Sequence, residues 1–423
     1  MTAKRGRELG LDFSGTPGPH NAITDVPGLM VGYKTLVTGD GPLVTGRGPI
    51  RTGVTAILPR GRDTVPQPIW AGTHSLNGNG ETTGTHWIHD GGYLLGPIMI
   101  TNTHSVGRVH QAAVQWIIDT YPEHWGSEHL WAMPVVAETH DSTLNDINGL
   151  HVTEDHAREA LDQATNGPLQ EGNVGGGTGM ICYEFKGGTG TSSRRISVGG
   201  QQFHVGVLVQ ANHGRRQDLT ILGVPVGRHL QNDKLFDEHE MGSIIAVIAT
   251  DAPMMPHQLE RLAKRGTLGI ARGGTPGGNG SGDIFLAIST ANHMPIDRMG
   301  QINSDFSWIG DDLCDTVYLA AVQAIEESVI NALVAAEDMT TLRPPGQRCA
   351  AMDIDAMLER FRDRAKAVKQ RPLPPVAGDE RKAFIEQAQR DYMDFAIVGD
   401  AAWEMVDGVL TLTVDLRPAD QRG

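Results

Sequence analysis

The chain has few cysteines and no segment typical of secretion or of a membrane span. Its 423 residues include only three cysteines, Cys182, Cys314 and Cys349, which are far apart in the sequence. This spacing excludes a CxxC zinc pair, and the odd number argues against a disulfide framework. No apolar region follows the basic N-terminus, and no run of roughly 18 apolar residues occurs. We therefore expect no membrane partner and a cytoplasmic location.

A basic patch is also missing. The formal net charge is −15, and no run of Lys and Arg occurs. Proteins that bind nucleic acid or anionic membranes contact phosphate groups through Lys and Arg. We therefore expect neither as a partner, whereas an acidic chain is compatible with a cationic substrate such as a free amine.

Several motifs of cofactor binding and catalysis are absent. The sequence has no HExxH zinc motif, no GxxxxGK[ST] phosphate loop and no G-x-S-x-G nucleophile elbow. The glycine run 175–179 lacks the spacing and the following helix of a dinucleotide-binding loop. We therefore expect a protein that uses neither a metal nor an organic cofactor.

Hydrophobic patterning predicts an α/β protein in which strands often follow one another without a helix between them. The predicted strands are 52–58, 97–101, 133–137, 203–209, 243–249, 283–288 and 408–414. The predicted helices are 106–121, 256–265, 315–338 and a stretch ending near 394, and the predicted loops include 72–84 and 273–282. This order argues against a doubly wound sheet and favours two sheets packed face to face with helices outside.

The step from Gly242 to Ser243 joins a polar, acidic segment to an abrupt apolar strand. Self-cleavage by an N–O acyl shift needs a hydroxyl after the scissile bond and little bulk before it, and this step provides both. The freed α-amine, with a pKa of roughly 7.7–8.0 in an unperturbed peptide, can act as base for its own hydroxyl. Gly-Ser is also a common turn pair, so the dipeptide alone leaves both interpretations open.

Four further positions have residue types suited to acyl transfer. Asn212 follows a strand, where its amide can stabilise an oxyanion or simply take a turn position. Ser281 and Asp283 lie two residues apart, so in an extended chain they share one side and can orient a nucleophile; a glycine-rich turn is the alternative. Glu138, at another strand end, can pair with a substrate ammonium or lie solvated.

Seven segments, in order along the chain, together resemble the L-aminopeptidase/D-amidase-D-esterase (DmpA-type) family, which includes the β-peptidyl aminopeptidases. These segments are 16–28 (TPGPHNAITDVPG), 77–81 (NGNGE), 100–107 (ITNTHSVG), 172–179 (GNVGGGTG), 209–212 (VQAN), the Gly242–Ser243 step with 251–253 (DAP), and 281–283 (SGD).

The resemblance implies a precursor that cuts itself between Gly242 and Ser243 into parts 1–242 and 243–423 of one domain. The implied fold is a four-layer α/β/β/α sandwich, similar in principle to the N-terminal-nucleophile hydrolases but differently connected. The implied activity is release of N-terminal residues from short peptides, amides or esters that carry a free amine. The α/β pairs are expected to assemble further, as a homo-oligomer such as a tetramer.

Carried over by position, Ser243 matches the family's nucleophile and Asn212 its oxyanion donor. Ser281 and Asp283 match the pair that orients the nucleophile, and Glu138 matches the carboxylate that holds the substrate ammonium.

Three features depart from the family pattern. Some relatives have Glu where this chain has Asp283, and some have Tyr where it has His140, so a phenol is replaced by an imidazole at a predicted substrate-binding position. The C-terminal extension from about 375 has no recognised counterpart.

Two other functions stay open: an acyltransferase on the same scaffold, and an inactive homologue that serves in binding or assembly. The retained Ser243, Asn212 and Ser281 argue against inactivity.

Overall fold

Strands and helices of the protein are given by a computed structural model. It describes residues 5–63, 65–127, 131–231, 233–236, 242–293 and 305–352, with scattered positions of the C-terminal tail. The strands are β1 (Met30–Thr38), β2 (Ile50–Leu58), β3 (Ile69–Ser75), β4 (Tyr93–Leu94), β5 (Ile98–Asn102), β6 (Val135–Thr139), β7 (Ile181–Cys182), β8 (Phe185–Lys186), β9 (Gly188–Val198), β10 (Gln201–Asn212), β11 (Ser243–Thr250), β12 (Gly282–Ser289), β13 (Met339–Leu342), β14 (Pro345–Cys349), β15 (Ala402–Val406) and β16 (Val409–Thr413). The helices are α1 (Thr85–Gly91), α2 (Val106–Thr120), α3 (Pro122–Ser127), α4 (Glu154–Asp162), α5 (Pro256–Arg272) and α6 (Cys314–Val334).

Two β-sheets form the framework. Sheet I has the strand order β1-β2-β5-β6, and sheet II has the order β4-β3-β12-β11-β10-β9. The pairs β5–β6 and β11–β12 are parallel, and the other neighbours are antiparallel. Antiparallel neighbours can be joined by a short turn, whereas parallel neighbours need a longer crossover. Because most pairs here are antiparallel, strands often follow one another without an intervening helix.

Apolar side chains of the two sheets form one core between them. Ile57, Ile100 and Ala137 of sheet I belong to the same buried cluster as Leu208 and Val247 of sheet II. Side chains alternate along a strand, so the intervening residues face the opposite sides of the sheets.

Helices cover both outer faces. On sheet I, Val54 and Met99 pack with Trp116 of α2 and Leu161 of α4. On sheet II, α5 contacts β3 and β12, and α6 contacts β9 and β10. Strand β2 is therefore covered on both sides and is buried along almost its whole length. The layers follow the order α/β/β/α, which confirms the predicted fold.

Glycines let helix α5 lie close to its neighbours. A methyl group on Gly266 would overlap the ring of Phe285, and one on Gly269 would lie 2.6 Å from Cβ of Ile325 in α6. A methyl group on Gly72 of β3 would likewise overlap the backbone of Glu260 in α5. These three glycines are therefore sites of close packing and not breaks in the elements.

Most predicted elements match observed ones, but several boundaries were wrong. The strand predicted at 203–209 is β10, Gln201–Asn212, so Asn212 is the last residue of that strand and does not follow it. Helix α5 continues to Arg272 instead of ending at 265, and α6 ends at Val334 instead of 338. The predicted loop 72–84 begins too early, because β3 extends to Ser75. The predicted final strand corresponds to β16. The predicted helix near 394 falls largely outside the described residues.

The chain divides into two compact units. One comprises Ser14–Ala351 and so includes segments from both sides of the Gly242–Ser243 step; the other comprises Arg5–Phe13 and the positions from Met352 onward, where β15 and β16 form a hairpin. Among the described residues, one helix, Asp311–Val334, is long and apolar enough to cross a membrane by length and composition, but 78% of its apolar window is buried inside the protein. Its burial against sheet II is that of a core helix.

Candidate active site

Ser243 is the first residue of the central strand β11. Asn212 lies opposite it at the end of β10, and Gly282 lies opposite it at the start of β12. Its hydroxyl oxygen accepts a hydrogen bond of 3.2 Å from the backbone N–H of Gly282. The side chain is only 6% exposed. The serine is therefore fixed from both neighbouring strands, with its hydroxyl on the same face as the side chain of Asn212.

The residue before this serine has no room for a side chain. Gly242 has a φ of +155°, and a methyl group on it would overlap the carbonyl oxygen of Asn212. The backbone of Gly242 thus lies directly against the end of β10. The residue before Gly242, Met241, lies outside the described residues.

The amide group of Asn212 is held at both ends. Its Oδ1 accepts a hydrogen bond of 2.8 Å from the N–H of Ile181, and its Nδ2 donates one of 3.1 Å to the carbonyl oxygen of His140. These partners fix which end of the amide is the nitrogen. An amide nitrogen carries two hydrogens, and no acceptor for the second is found in the described part of the chain. That hydrogen is available to an oxyanion beside Ser243.

Ser281 and Asp283 flank the residue that pairs with the nucleophile candidate. The hydroxyl of Ser281 donates a hydrogen bond of 2.5 Å to Oδ1 of Asp283, and both residues are fully buried. Gly282, between them, is the β12 partner of Ser243. The structure thus brings the Ser-x-Asp pair to the same strand end as the serine and Asn212.

Glu138 lies at the end of β6, a strand of sheet I that contacts β11 of sheet II. It is 3% exposed. Its Oε1 accepts a hydrogen bond of 2.8 Å from the N–H of Glu81, and its Oε2 accepts one from the hydroxyl of Thr103. Burial raises the pKa of Glu138, the two hydrogen bonds oppose that shift, and the nearby Glu81 carboxylate adds to it. No Lys or Arg of the described residues forms an ion pair with it, so an incoming ammonium group would supply the missing positive charge.

A glycine loop connects the two halves of the site. A methyl group on Gly80 would lie 3.2 Å from Oε1 of Glu138 and 3.7 Å from Cα of Gly282. In the same loop, Asn79 donates a hydrogen bond of 2.6 Å to the carbonyl oxygen of Gly280. Gly80 therefore lies between the Glu138 carboxylate and the start of β12, the strand beside Ser243. Because it has no side chain, the space between these two groups is not filled.

His140 borders the oxyanion side of the site. Its carbonyl oxygen holds the Asn212 amide, while its exposed ring lies edge-on to the ring of His104, with centroids 6.4 Å apart. Desolvation lowers the pKa of His140, and the positive charges of His104 and Arg343 lower it further. The ring is thus neutral at neutral pH and can act as a hydrogen-bond donor or acceptor.

Comparison with known proteins agrees with this arrangement. A family model described as peptidase family S58 matches residues 21–344. The chain belongs to peptidase family S58. The solved structure of the L-aminopeptidase D-Ala-esterase/amidase of Ochrobactrum anthropi, described as a prototype of the serine aminopeptidases and a variant of the Ntn hydrolase fold, is 53% identical, with a TM-score of 0.80 over 85% of this chain and 98% of the other.

Other members are also similar over most of their length. The β-peptidyl aminopeptidase BapA of Sphingosinicella microcystinivorans is 47% identical over 378 residues, which cover 86% of this chain and 94% of the relative. A β-aminopeptidase of Burkholderia sp. is 44% identical, with a TM-score of 0.75 over 87% of this chain and 100% of the other. The chain is thus a serine aminopeptidase/amidase of the N-terminal-nucleophile type.

The sequence analysis missed several residues of this S58 site. It gave no role to Thr103, Glu81 or His104, although Thr103 and Glu81 bond directly to Glu138. Both lie within segments that carry the family resemblance, 77–81 and 100–107, and that position was the available signal. No group of three His, Cys, Asp or Glu suited to a metal is present among the described residues.

Proposed function

We propose that Ser243 is the nucleophile of this aminopeptidase and that the chain cuts itself between Gly242 and Ser243 to expose it. The observation that carries the proposal is the position of the serine at the start of β11, between Asn212 and Gly282, with a glycine that no larger residue could replace directly before it. Cleavage there would make Ser243 an N-terminal residue at the start of an inner strand of sheet II.

The freed α-amine is proposed as the base of the reaction. It takes the proton of the Ser243 hydroxyl as that oxygen attacks the carbonyl carbon of the substrate, and it returns the proton to the leaving amine. Ser281 and Asp283, at the neighbouring strand end, are proposed to orient this amine and to stabilise its protonated form. Water then attacks the acyl-enzyme, the same amine accepts the proton of the water, and it returns this proton to the Ser243 oxygen as the acyl product leaves.

Asn212 is proposed to stabilise the oxyanion of both tetrahedral intermediates. Its amide is held rigidly by Ile181 and His140, so it needs no reorganisation when negative charge develops. Preorganised donors of this kind contribute strongly to acyl transfer because their orientation is fixed before the reaction.

Glu138 is proposed to bind the N-terminal ammonium of the substrate. The buried carboxylate is raised in pKa and lacks a cationic partner in the described part of the chain, so a substrate amine improves its electrostatic environment. A fixed carboxylate near a fixed nucleophile limits the enzyme to substrates with a free amine close to the scissile bond. The β-peptidyl aminopeptidases among the relatives suggest that a backbone longer by one carbon, as in a β-amino acid, also fits here.

Hydrolysis of p-nitroanilides tests this function. We expect the purified protein to release p-nitroaniline from aminoacyl p-nitroanilides, with L-, D- and β-amino acids compared, and to leave the N-acetylated counterparts uncut. Equal hydrolysis of the acetylated compounds would contradict the role of Glu138 and the exopeptidase specificity.

An acyltransferase is the second candidate, because the same acyl-enzyme can be attacked by an amine instead of water. Adding an amine acceptor and measuring the ratio of transfer to hydrolysis distinguishes the two.

We also propose that the α/β pairs form a homo-oligomer, which light scattering of the purified protein measures directly.

A further inference from the structure

We infer that His104, His140 and Arg343 form a subsite for a carboxylate group of the substrate, so that short peptides with a free C-terminal carboxylate are preferred over their amides. This inference rests on the proposed function, because it names the substrate class of the same site. The three residues are called the cationic rim below: Arg343 carries its fixed positive charge, and the two imidazoles add ring nitrogens that can form hydrogen bonds.

The cationic rim borders the oxyanion side of the site. His140 is the residue whose carbonyl oxygen holds the Asn212 amide, at 3.1 Å, so its ring borders the oxyanion side of the site. The ring of His104 lies edge-on to it, 6.4 Å away between centroids. Both rings are exposed and therefore accessible to a ligand.

Arg343 comes from a distant part of the sequence. It lies at the tip of the β13–β14 hairpin, and this tip is held against the segment after β6 because the N–H groups of Leu342 and Arg343 both point to the carbonyl oxygen of Thr143, at 2.7 and 3.3 Å. Arg343 is exposed, Thr143 lies three residues after His140, and the positive charge of Arg343 contributes to lowering the pKa of His140. A guanidinium is always charged and matches the planar geometry of a carboxylate.

Groups of opposite charge lie next to one another at this site. The chain has a net charge of −15, and the ammonium subsite proposed above is the carboxylate of Glu138, which lies near the negative charge of Glu81. The cationic rim lies beside this carboxylate, since His104 directly follows Thr103, whose hydroxyl donates a hydrogen bond to Glu138. Positive and negative subsites next to one another suit a zwitterionic ligand, which is the form of a short peptide with two free ends.

The test compares two substrates that differ only at the C-terminus. A dipeptide with glycine as its second residue is used as the free acid and as the amide, with the N-terminal residue that reacts best as a p-nitroanilide. The readout is the ratio of kcat/KM for the acid to kcat/KM for the amide. We expect this ratio to exceed one in the wild-type protein and to fall at least about five-fold in Arg343→Gln, a range consistent with the loss of one partly exposed charge contact.

Matched variants make the test specific. Arg348→Gln removes the same charge from the neighbouring strand, where Arg348 pairs with Asp338, and should leave the ratio unchanged. Arg343→Lys should restore part of the ratio. An unchanged ratio in Arg343→Gln, or a wild-type preference for the amide, would overturn the inference. Failure to cut any aminoacyl substrate would instead overturn the proposed function.

Discussion

Replacement of Asn212 by alanine tests the proposed oxyanion site. The substitution removes the amide nitrogen that is proposed to contact the oxyanion and also the two hydrogen bonds to Ile181 and His140. It therefore changes both the rate of the chemical step and the stability of the fold, and the two effects can be measured separately.

The magnitudes differ for the two effects. Loss of one preorganised oxyanion donor lowers kcat by about 100- to 1000-fold in acyl-transfer enzymes. Loss of two buried hydrogen bonds lowers the free energy of unfolding by about 1–3 kcal/mol. We expect Asn212→Ala to reduce kcat for an aminoacyl p-nitroanilide about 100-fold while KM changes less than about three-fold, because the donor acts mainly on the transition state. The assay uses protein whose two fragments are confirmed by intact mass; in an uncut preparation, the rate at which fragments appear replaces kcat.

The matched control is Gln210→Ala. Gln210 precedes Asn212 on the same face of β10, and its amide donates to the carbonyl oxygen of Thr101 and the hydroxyl of Thr139, at 3.0 and 2.8 Å. Its loss should destabilise the protein by a similar amount but change kcat less than about three-fold. A wild-type kcat in Asn212→Ala, or an equal loss in both variants, would refute the assignment of Asn212.

Further predictions concern the glycines and the carboxylate of the site. Gly80→Ala should raise KM several-fold because its methyl group enters the space between Glu138 and β12, whereas Gly78→Ala, with nothing within 4 Å, should not; steady-state kinetics of both variants is the test, and equal values would contradict it. Gly242→Val should abolish self-cleavage, because its side chain would overlap the end of β10, and fragments of normal size from this variant would be evidence against it. The raised pKa of Glu138 means that its charge, and with it substrate binding, is lost on acidification at a higher pH than for an ordinary glutamate. Thr103→Val removes a hydrogen bond that lowers this pKa, so the acidic limb of kcat/KM should move to higher pH; an unmoved limb would argue against Glu138 as the ammonium site.

The positions of most predicted strands and helices could be read from local sequence. Helix α2 was predicted to within one residue because its apolar side chains follow the helical period and face sheet I. Strand β11 was predicted because a fully apolar run begins directly after a polar segment. Two of the wrong boundaries, the end of α5 and the start of the loop 72–84, lie where glycine marks close packing. Gly266 and Gly269 resemble helix breakers in sequence, yet α5 continues past them because Phe285 and Ile325 occupy the space of a side chain.

The site was predictable only in part. Ser281 and Asp283 are close in sequence, so their spacing indicated a shared side. The contacts of Glu138 with Glu81 and Thr103 join three separate segments, and the approach of Arg343 to His140 spans two hundred residues of sequence. Such contacts depend on which strands pair and on how two sheets stack, and neither is encoded in the spacing of the residues themselves.

The intact mass of the purified protein, together with a denaturing gel, tests the central claim most directly. We predict two fragments whose masses correspond to residues 1–242 and 243–423, with Ser243 at the N-terminus of the second, and a single full-length chain in Ser243→Ala. A wild-type protein that stays full-length and active, or a Ser243→Ala variant that still breaks at the same bond, would contradict the account.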